Sequence, residues 1–237
     1  MFKMFPPTFL VVPVAWLTVL VLAGLDAITP ALSGLGITPK VTWAILVVQL
    51  IITLAIVTPF WRVIWRWCPK LNEWIFPDLN GEWDVIGHTN WNRIDALLKA
   101  AKGDAALIDM RTGSEDALPP LGKFQMRARI SQSWLDIEME LWNPQGAGPI
   151  QESTTLVVEP IRGKRGRHAL AYIFEQVNQT DVVSDDAKFR GAVWVTRDRD
   201  DPNALCGRMW SDRMWRRGMN TAADLRFTRS VAQEGGR

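Results

Sequence analysis

The residues with most chemical character lie in two short strings, ISQSW at 130–134 and GRMWSDRMWRRG at 207–218. Gln132 and Trp134 share one parity, which in a strand puts an amide and an indole on one wall. That pairing suits a flat heteroaromatic ligand, stacked on the ring and hydrogen-bonded at its edge. Trp210, Ser211, Asp212 and Arg213 come next, and Arg216 and Arg217 precede Gly218. Arginine's planar fork matches phosphate oxygens bidentately, so guanidinium groups gathered at one rim would take an anion. Tyr172, the single tyrosine, shares parity with Leu170 and Phe174 and joins this set. The plainer reading is that tryptophans fill the core and the basic turn is solvated. There are 13 tryptophans, eight of them beyond residue 70, and some, such as Trp83, Trp91, Trp142, Trp194 and Trp215, must serve packing.

Catalysis has little to work with. His88 and His168 are the only histidines and fall in separate strand-like runs. No GxSxG, HExxH or GxxxxGK[ST] pattern occurs. Asp136, Glu138 and Glu140 alternate along one face and read as the solvated outside of a sheet. Cys68 and Cys206 are far apart, form no metal-ligand pattern and agree with a reducing compartment. The expectation is a binding protein, not an enzyme, with no catalytic residues, no metal and no cofactor other than an activating ligand.

Seven strand-like runs must position these residues: 81–90, 123–142, 152–160, 167–177, 188–196, 204–211 and 222–228. Within the longest, Phe124, Met126, Ala128, Ile130, Gln132 and Trp134 hold one parity, whereas Leu135, Ile137, Met139 and Leu141 hold the other. A parity switch requires a bulge or tight turn, here between Trp134 and Leu135. The run then becomes two strands. Regularly spaced runs of this kind point to a sandwich or barrel, and eight strands with a sharp bend are typical of a small closed barrel. Within the interruption at 92–122, RIDALLKAAKGDAALIDM has helical spacing, with Asn92 or Asp95 as caps, and TGSEDALPPLG reads as loop; the expectation is an insertion whose helix closes one barrel end.

Two charge-free segments, 5–25 and 41–61, precede the barrel, each long enough for a helix to cross about 30 Å of hydrocarbon. Pro13 would kink the first, and DAITPALSGLGITPK between them reads as a turn. Lys3, Arg62, Arg66 and Lys70 flank the pair, so the positive-inside rule places both termini in the cytoplasm. Trp61, Trp65 and Trp67, interleaved with Arg62 and Arg66, suit the headgroup layer. The expected organisation is a two-helix transmembrane domain at 1–70 and a cytoplasmic barrel at 71–237. The overall charge of +2 conceals a barrel of about −2, which excludes a broadly basic face for long nucleic acid. Small residues Ala15, Ala23, Gly24 and Ala44 would permit close helix contact.

PDLNGEW, ISQSW before an alternating strand, FRGAVWV, and GRMWSDR before a last short strand occur in this order behind two spans. In this the chain resembles the two-transmembrane, β-strand-rich effectors of bacterial cyclic-oligonucleotide antiphage (CBASS) systems. The resemblance runs nearly the whole length; Met209 stands where an aromatic residue is expected. It implies a compact, eight-stranded, lipocalin-like antiparallel barrel on the cytoplasmic side that senses a cyclic dinucleotide made by a partner nucleotidyltransferase. Homo-oligomers then form through the membrane segments, the bacterial inner membrane is disrupted, and the infected cell dies. It also implies that Gln132, Trp134, Trp210, Ser211, Asp212 and Arg213 form or support the pocket; Tyr172 and Arg217 are added from this sequence. The alternative from another class is a membrane-tethered carrier of a lipid or apolar metabolite.

Overall fold

The computed structural model describes residues 8–34, 41–57, 59–134, 136–146, 150–178, 180 and 185–230. The chain forms two compact units, Met1–Asp78 with Ser133–Asp136, and Leu79–Gln132 with Ile137–Arg237.

The first unit is helical. Helix α1 spans Thr8–Ser33 and α2 spans Val41–Val57. They lie against each other. The less exposed residues of α1, Leu17, Val21, Leu25 and Thr29, recur every four residues, as do Ala44, Val48 and Ile52 on α2. Spacing of that kind makes one stripe on a helix. Ala44 is buried within the stripe, whereas Ala15, Ala23 and Gly24 are exposed on α1. Val11–Ala31, 21 residues, is long and apolar enough to cross a membrane. The apolar part of α2, Val41–Leu54, is shorter. Two expectations change here. DAITPALS continues α1 with Pro30 inside it, so the turn begins only at Gly34. The second apolar helix stops at Val57, because Pro59 caps a separate helix α3, Phe60–Trp67.

On α3 the interleaved aromatic and basic residues divide by face. Trp61 and Trp65, one turn apart, are buried edge to face with ring centroids 5.4 Å apart, while Trp67 is exposed. The Trp65 indole donates to the Phe76 carbonyl at 2.9 Å, and Arg62 pairs with Asp78 at 2.9 Å. Thus two of the three tryptophans expected at headgroups serve packing. A short helix α4, Leu71–Trp74, follows.

The second unit is a closed antiparallel barrel whose strands pair in sequence order. They are β1 Gly81–Thr89, β2 Gly122–Gln132, β3 Ile137–Trp142, β4 Ile150–Ile161, β5 Ala169–Asn178, β6 Lys188–Arg197, β7 Ala204–Ser211 and β8 Ala222–Arg229. Pairing of β1 with β8 closes the barrel, and strict alternation gives it an inside: on β1 Trp83, Val85 and Gly87 face inward, and on β2 Met126, Ala128, Ile130 and Gln132 do so. The long sequence run does break into two strands, with Gln132 opposite Ile137. The joint is a tight turn in which Ser133 N–H donates to the Asp136 carbonyl at 2.8 Å. Leu156, an extra residue on β4 between Thr155 and Val157, shifts the register of that strand against β5.

The two barrel ends differ. Where β1 begins, Trp83, Ile130, Leu170, Val195 and Phe227 are fully buried and fill the interior. Burial at that level stabilises by about 1.5–3 kcal/mol per large side chain. Ala128 sits directly opposite Trp83, a small residue making room for a large one. The other end, where β1 runs into helix α5 (Trp91–Ala101), is hollow. Helix α5 is the expected insertion, but Asn90 occupies the cap position and spends its side chain on Ala222 N–H, at 2.9 Å.

Candidate functional site

The hollow end holds a cavity of about 450 Å³, within the usual range for small-molecule sites. Its deeper wall is apolar: Val85, Met126, Leu141, Val193 and Leu225, with Tyr172 among them. Burial pushes the Tyr172 phenol far up, so it stays protonated at any physiological pH.

Two rings, Phe124 and Phe174, owe their placement to glycine. Phe124 lies directly across from Gly87, and Phe174 across from Gly191. A Cβ built on Gly87 would come within 2.1 Å of the Phe124 ring, and one on Gly191 within 2.3 Å of the Phe174 ring. Each ring therefore lies over bare backbone and presents an edge or face to the cavity, a cross-strand Gly–aromatic arrangement.

Above this floor is a polar band. Ser153 on β4 pairs across the sheet with Gln176 on β5, and Asn178 follows two residues on; all three are buried and line the cavity. Gln176 Nε2 donates to Asn178 Oδ1 at 2.7 Å. Thr221 lies opposite, in a short 2.6 Å contact with the Ser211 hydroxyl.

At the mouth are Thr89, Trp91, Asn92, Lys123, Thr180, Asp185, Phe189 and Arg213. Arg213 grips Asp185 with two parallel bonds, Nε to Oδ1 at 2.8 Å and Nη2 to Oδ2. The guanidinium also stands 4.8 Å over the Trp91 ring and 5.6 Å over Phe189. Burial would raise the Asp185 carboxyl, but the bonds and charge of Arg213, with bonds from Thr180 and the Asp186 N–H, outweigh it and hold the carboxyl low. Asp185 spends two of arginine's five donors, leaving others for a ligand.

The expected site residues divide into groups. Tyr172 and Arg213 line the cavity. Ser211 supports it from behind through Thr221, and Asp212 braces the loop by accepting from Arg190 N–H at 2.7 Å. Arg217 is on an exposed 3-10 turn, Trp215–Arg217, beside an outer polar cleft with Asp186, Asp212 and Trp215. Trp210 is outside the barrel, half-exposed in a lateral row with Val157, Ile173 and Ala192. Gln132 is at the filled end, where Oε1 accepts from Leu79 N–H at 2.7 Å and its backbone bonds Asn80. Trp134 is in the turn, not on the strand wall, and packs edge-on against Trp61 and Trp65 at 6.3 and 5.8 Å. The expected amide–indole wall of Gln132 and Trp134 is therefore absent from the cavity. Sequence reading missed Asp185, Trp91 as a mouth residue, and the Ser153–Gln176–Asn178 band, though Gln176 and Asn178 continue the Tyr172 and Phe174 parity.

His88 is exposed on β1 and His168 is buried just before β5. Glu138 and Glu140 point outward from β3. Among the described residues no three His, Cys, Asp or Glu side chains are gathered as a metal site. No protein-family model matches the chain, and no curated protein matches it.

Proposed function

We propose that this protein is a non-enzymatic, membrane-anchored sensor of a cyclic dinucleotide, an effector of a bacterial CBASS-type antiphage system. The observation that carries the reading is the cavity: aromatic and apolar within, polar at its wall, and bearing at its mouth Lys123 and an Arg213 that keeps N–H donors beyond the two that grip Asp185. A cyclic dinucleotide is a ring of phosphates with flat bases, so bases suit the interior and phosphates the mouth. Base–aromatic stacking contributes about 1–3 kcal/mol per base, and arginine offers the remaining N–H donors to phosphate.

On this reading α1 and α2 both cross the bacterial inner membrane and both termini are cytoplasmic. The ligand comes from a cognate nucleotidyltransferase. Binding shifts the chain toward homo-oligomers only if the assembled form holds the ligand more tightly than the resting form. The exposed small residues Ala15, Ala23 and Gly24 on α1 leave a face where a helix of a second copy can approach closely. Assembled hairpins then disrupt the bilayer and end the infection with the cell. Gln132 and Trp134 act in this scheme as structural positions.

The apolar floor favours a second reading, a lipocalin-like carrier of a lipid or apolar metabolite. One experiment separates them. Calorimetric titration of the full-length protein in nanodiscs with a panel of cyclic dinucleotides and a panel of fatty acids, followed by light scattering, is expected to show saturable nucleotide binding and growth in particle mass. Fatty-acid binding without nucleotide binding would establish the carrier instead.

A further inference from the structure

The polar band on the β4–β5 wall ends in a donor that the protein itself does not satisfy. Asn178 is 4% exposed and lines the cavity. Its Oδ1 accepts from Gln176 Nε2 at 2.7 Å, while its Nδ2 has no hydrogen-bond partner among the described residues. The residue is also held in place: its backbone N–H donates to the Ala187 carbonyl at 2.9 Å, and Ile150 lies across from it on β4. Native structures rarely leave a buried donor unmet, so a fixed one on a cavity wall calls for an acceptor from whatever fills the cavity. Polar groups continue from there to the mouth. Thr180, two residues on, lines the cavity and bonds the Asp185 carboxylate, which Arg213 grips.

We propose that Asn178 is a ligand-binding residue whose Nδ2 donates to an acceptor atom of a base held inside the barrel. A cyclic dinucleotide is then bound at two points, a base edge at Asn178 and a phosphate at Arg213. Such binding rests on the cyclic-dinucleotide reading of the cavity. The contact does not choose among bases. Every nucleobase carries a ring nitrogen or a carbonyl oxygen that accepts one N–H, and Asn178 Oδ1 keeps a second lone pair for a neighbouring amino group. What the contact disfavours is a filling without acceptors. An alkyl chain or a plain aromatic ring would seal Nδ2 from water and leave it without a partner. The Phe124 and Phe174 rings, seated over Gly87 and Gly191, provide apolar walls for the base plane.

The test is calorimetric titration of the full-length protein in nanodiscs with the cyclic dinucleotides of uridine, cytidine, adenosine and guanosine, and with an analogue that carries phenyl groups in place of both bases. Alongside run Asn178→Leu, close in size to the native side chain, and the smaller Asn178→Ala; both remove the donor. The wild type is expected to bind at least one of the four natural compounds roughly tenfold more tightly than the phenyl analogue. In either folded variant the tightest of the four should weaken roughly tenfold, while the phenyl analogue changes by less than about twofold. Damage to the shape of the cavity would instead weaken the phenyl analogue as much. Wild-type binding of the phenyl analogue as tight as that of every natural compound overturns the proposal whether or not the variants fold. So does an unchanged preference, or an equal weakening of both kinds of compound, in a folded variant; each of these results leaves the sensor reading standing. Failure of all four natural compounds to bind the wild type overturns both.

Discussion

Arg213 and Asp185, 28 residues apart, meet fork to fork at the cavity mouth, with 16% and 6% of their side chains exposed. Removing one partner of such a pair strands the other charge, so Arg213→Ala is expected to lower stability by about 3 kcal/mol. Arg213→Lys restores charge but not the two-bond fork and should recover only part of it. Denaturant unfolding of the full chain, followed by near-ultraviolet circular dichroism, measures both.

The same pair fixes the sign of an acid dependence. The Asp185 carboxyl is held below its unfolded value of about 3.9, so its stabilising contribution is complete above that pH and disappears as pH falls through the lower folded value. The stability gap between wild type and Asp185→Asn should therefore be constant from neutral pH to about 5 and close in stronger acid. Unfolding midpoints of both proteins across that range supply the comparison; a gap that widens toward acid would contradict the assignment.

Gly87 and Gly191 set the shape of the cavity, and Gly207 the closeness of β6 and β7. A Cβ on Gly207 would lie 1.9 Å from the Trp194 carbonyl oxygen and 2.7 Å from Val195 Cα, atoms of backbone that cannot swing aside. Gly207→Ala should cost about 1–3 kcal/mol or more. Gly191→Ala displaces the Phe174 ring and also meets the Trp210 carbonyl oxygen at 2.8 Å, so it should weaken both ligand binding and stability. Gly87→Ala meets only the Phe124 ring among its nearest atoms and should act more on ligand binding than on stability. Paired unfolding and binding titrations distinguish the three.

Trp134 packs with Trp61 and Trp65 and does not line the cavity. Trp134→Ala should cost about 1–3 kcal/mol through lost aromatic packing while leaving the affinity for ligand within about twofold. A tenfold loss of affinity in a folded Trp134→Ala protein would return this residue to the binding site.

The barrel was legible because alternation is a backbone property: Phe124 to Gln132 and Ile137 to Leu141 announce their faces directly, and the parity switch marks the turn between them. The same rule misplaced Trp134, since parity has no meaning once the strand ends at Gln132 and a turn begins. Asp185 carries no local signal; it becomes the partner of Arg213 only when the start of β6 brings it to the mouth. Asn178 was within reach, two residues beyond Gln176 on the parity of Tyr172, but a polar residue at a strand end ordinarily signals solvent. Helix α1 overran its expected end because Pro30 falls only three residues before its last residue, Ser33, and did not stop it.

The central claim is that a ligand in the barrel releases an activity held in the apolar helices. Dye release from liposomes carrying the full-length protein tests it most directly, with a cyclic dinucleotide chosen from the binding titration and with Arg213→Ala alongside. The account predicts intact vesicles without ligand, release in proportion to barrel occupancy, and loss of release in folded Arg213→Ala at ligand concentrations that saturate the wild type. Vesicles that stay sealed at saturating occupancy of the wild type, or that leak equally without ligand, would contradict it.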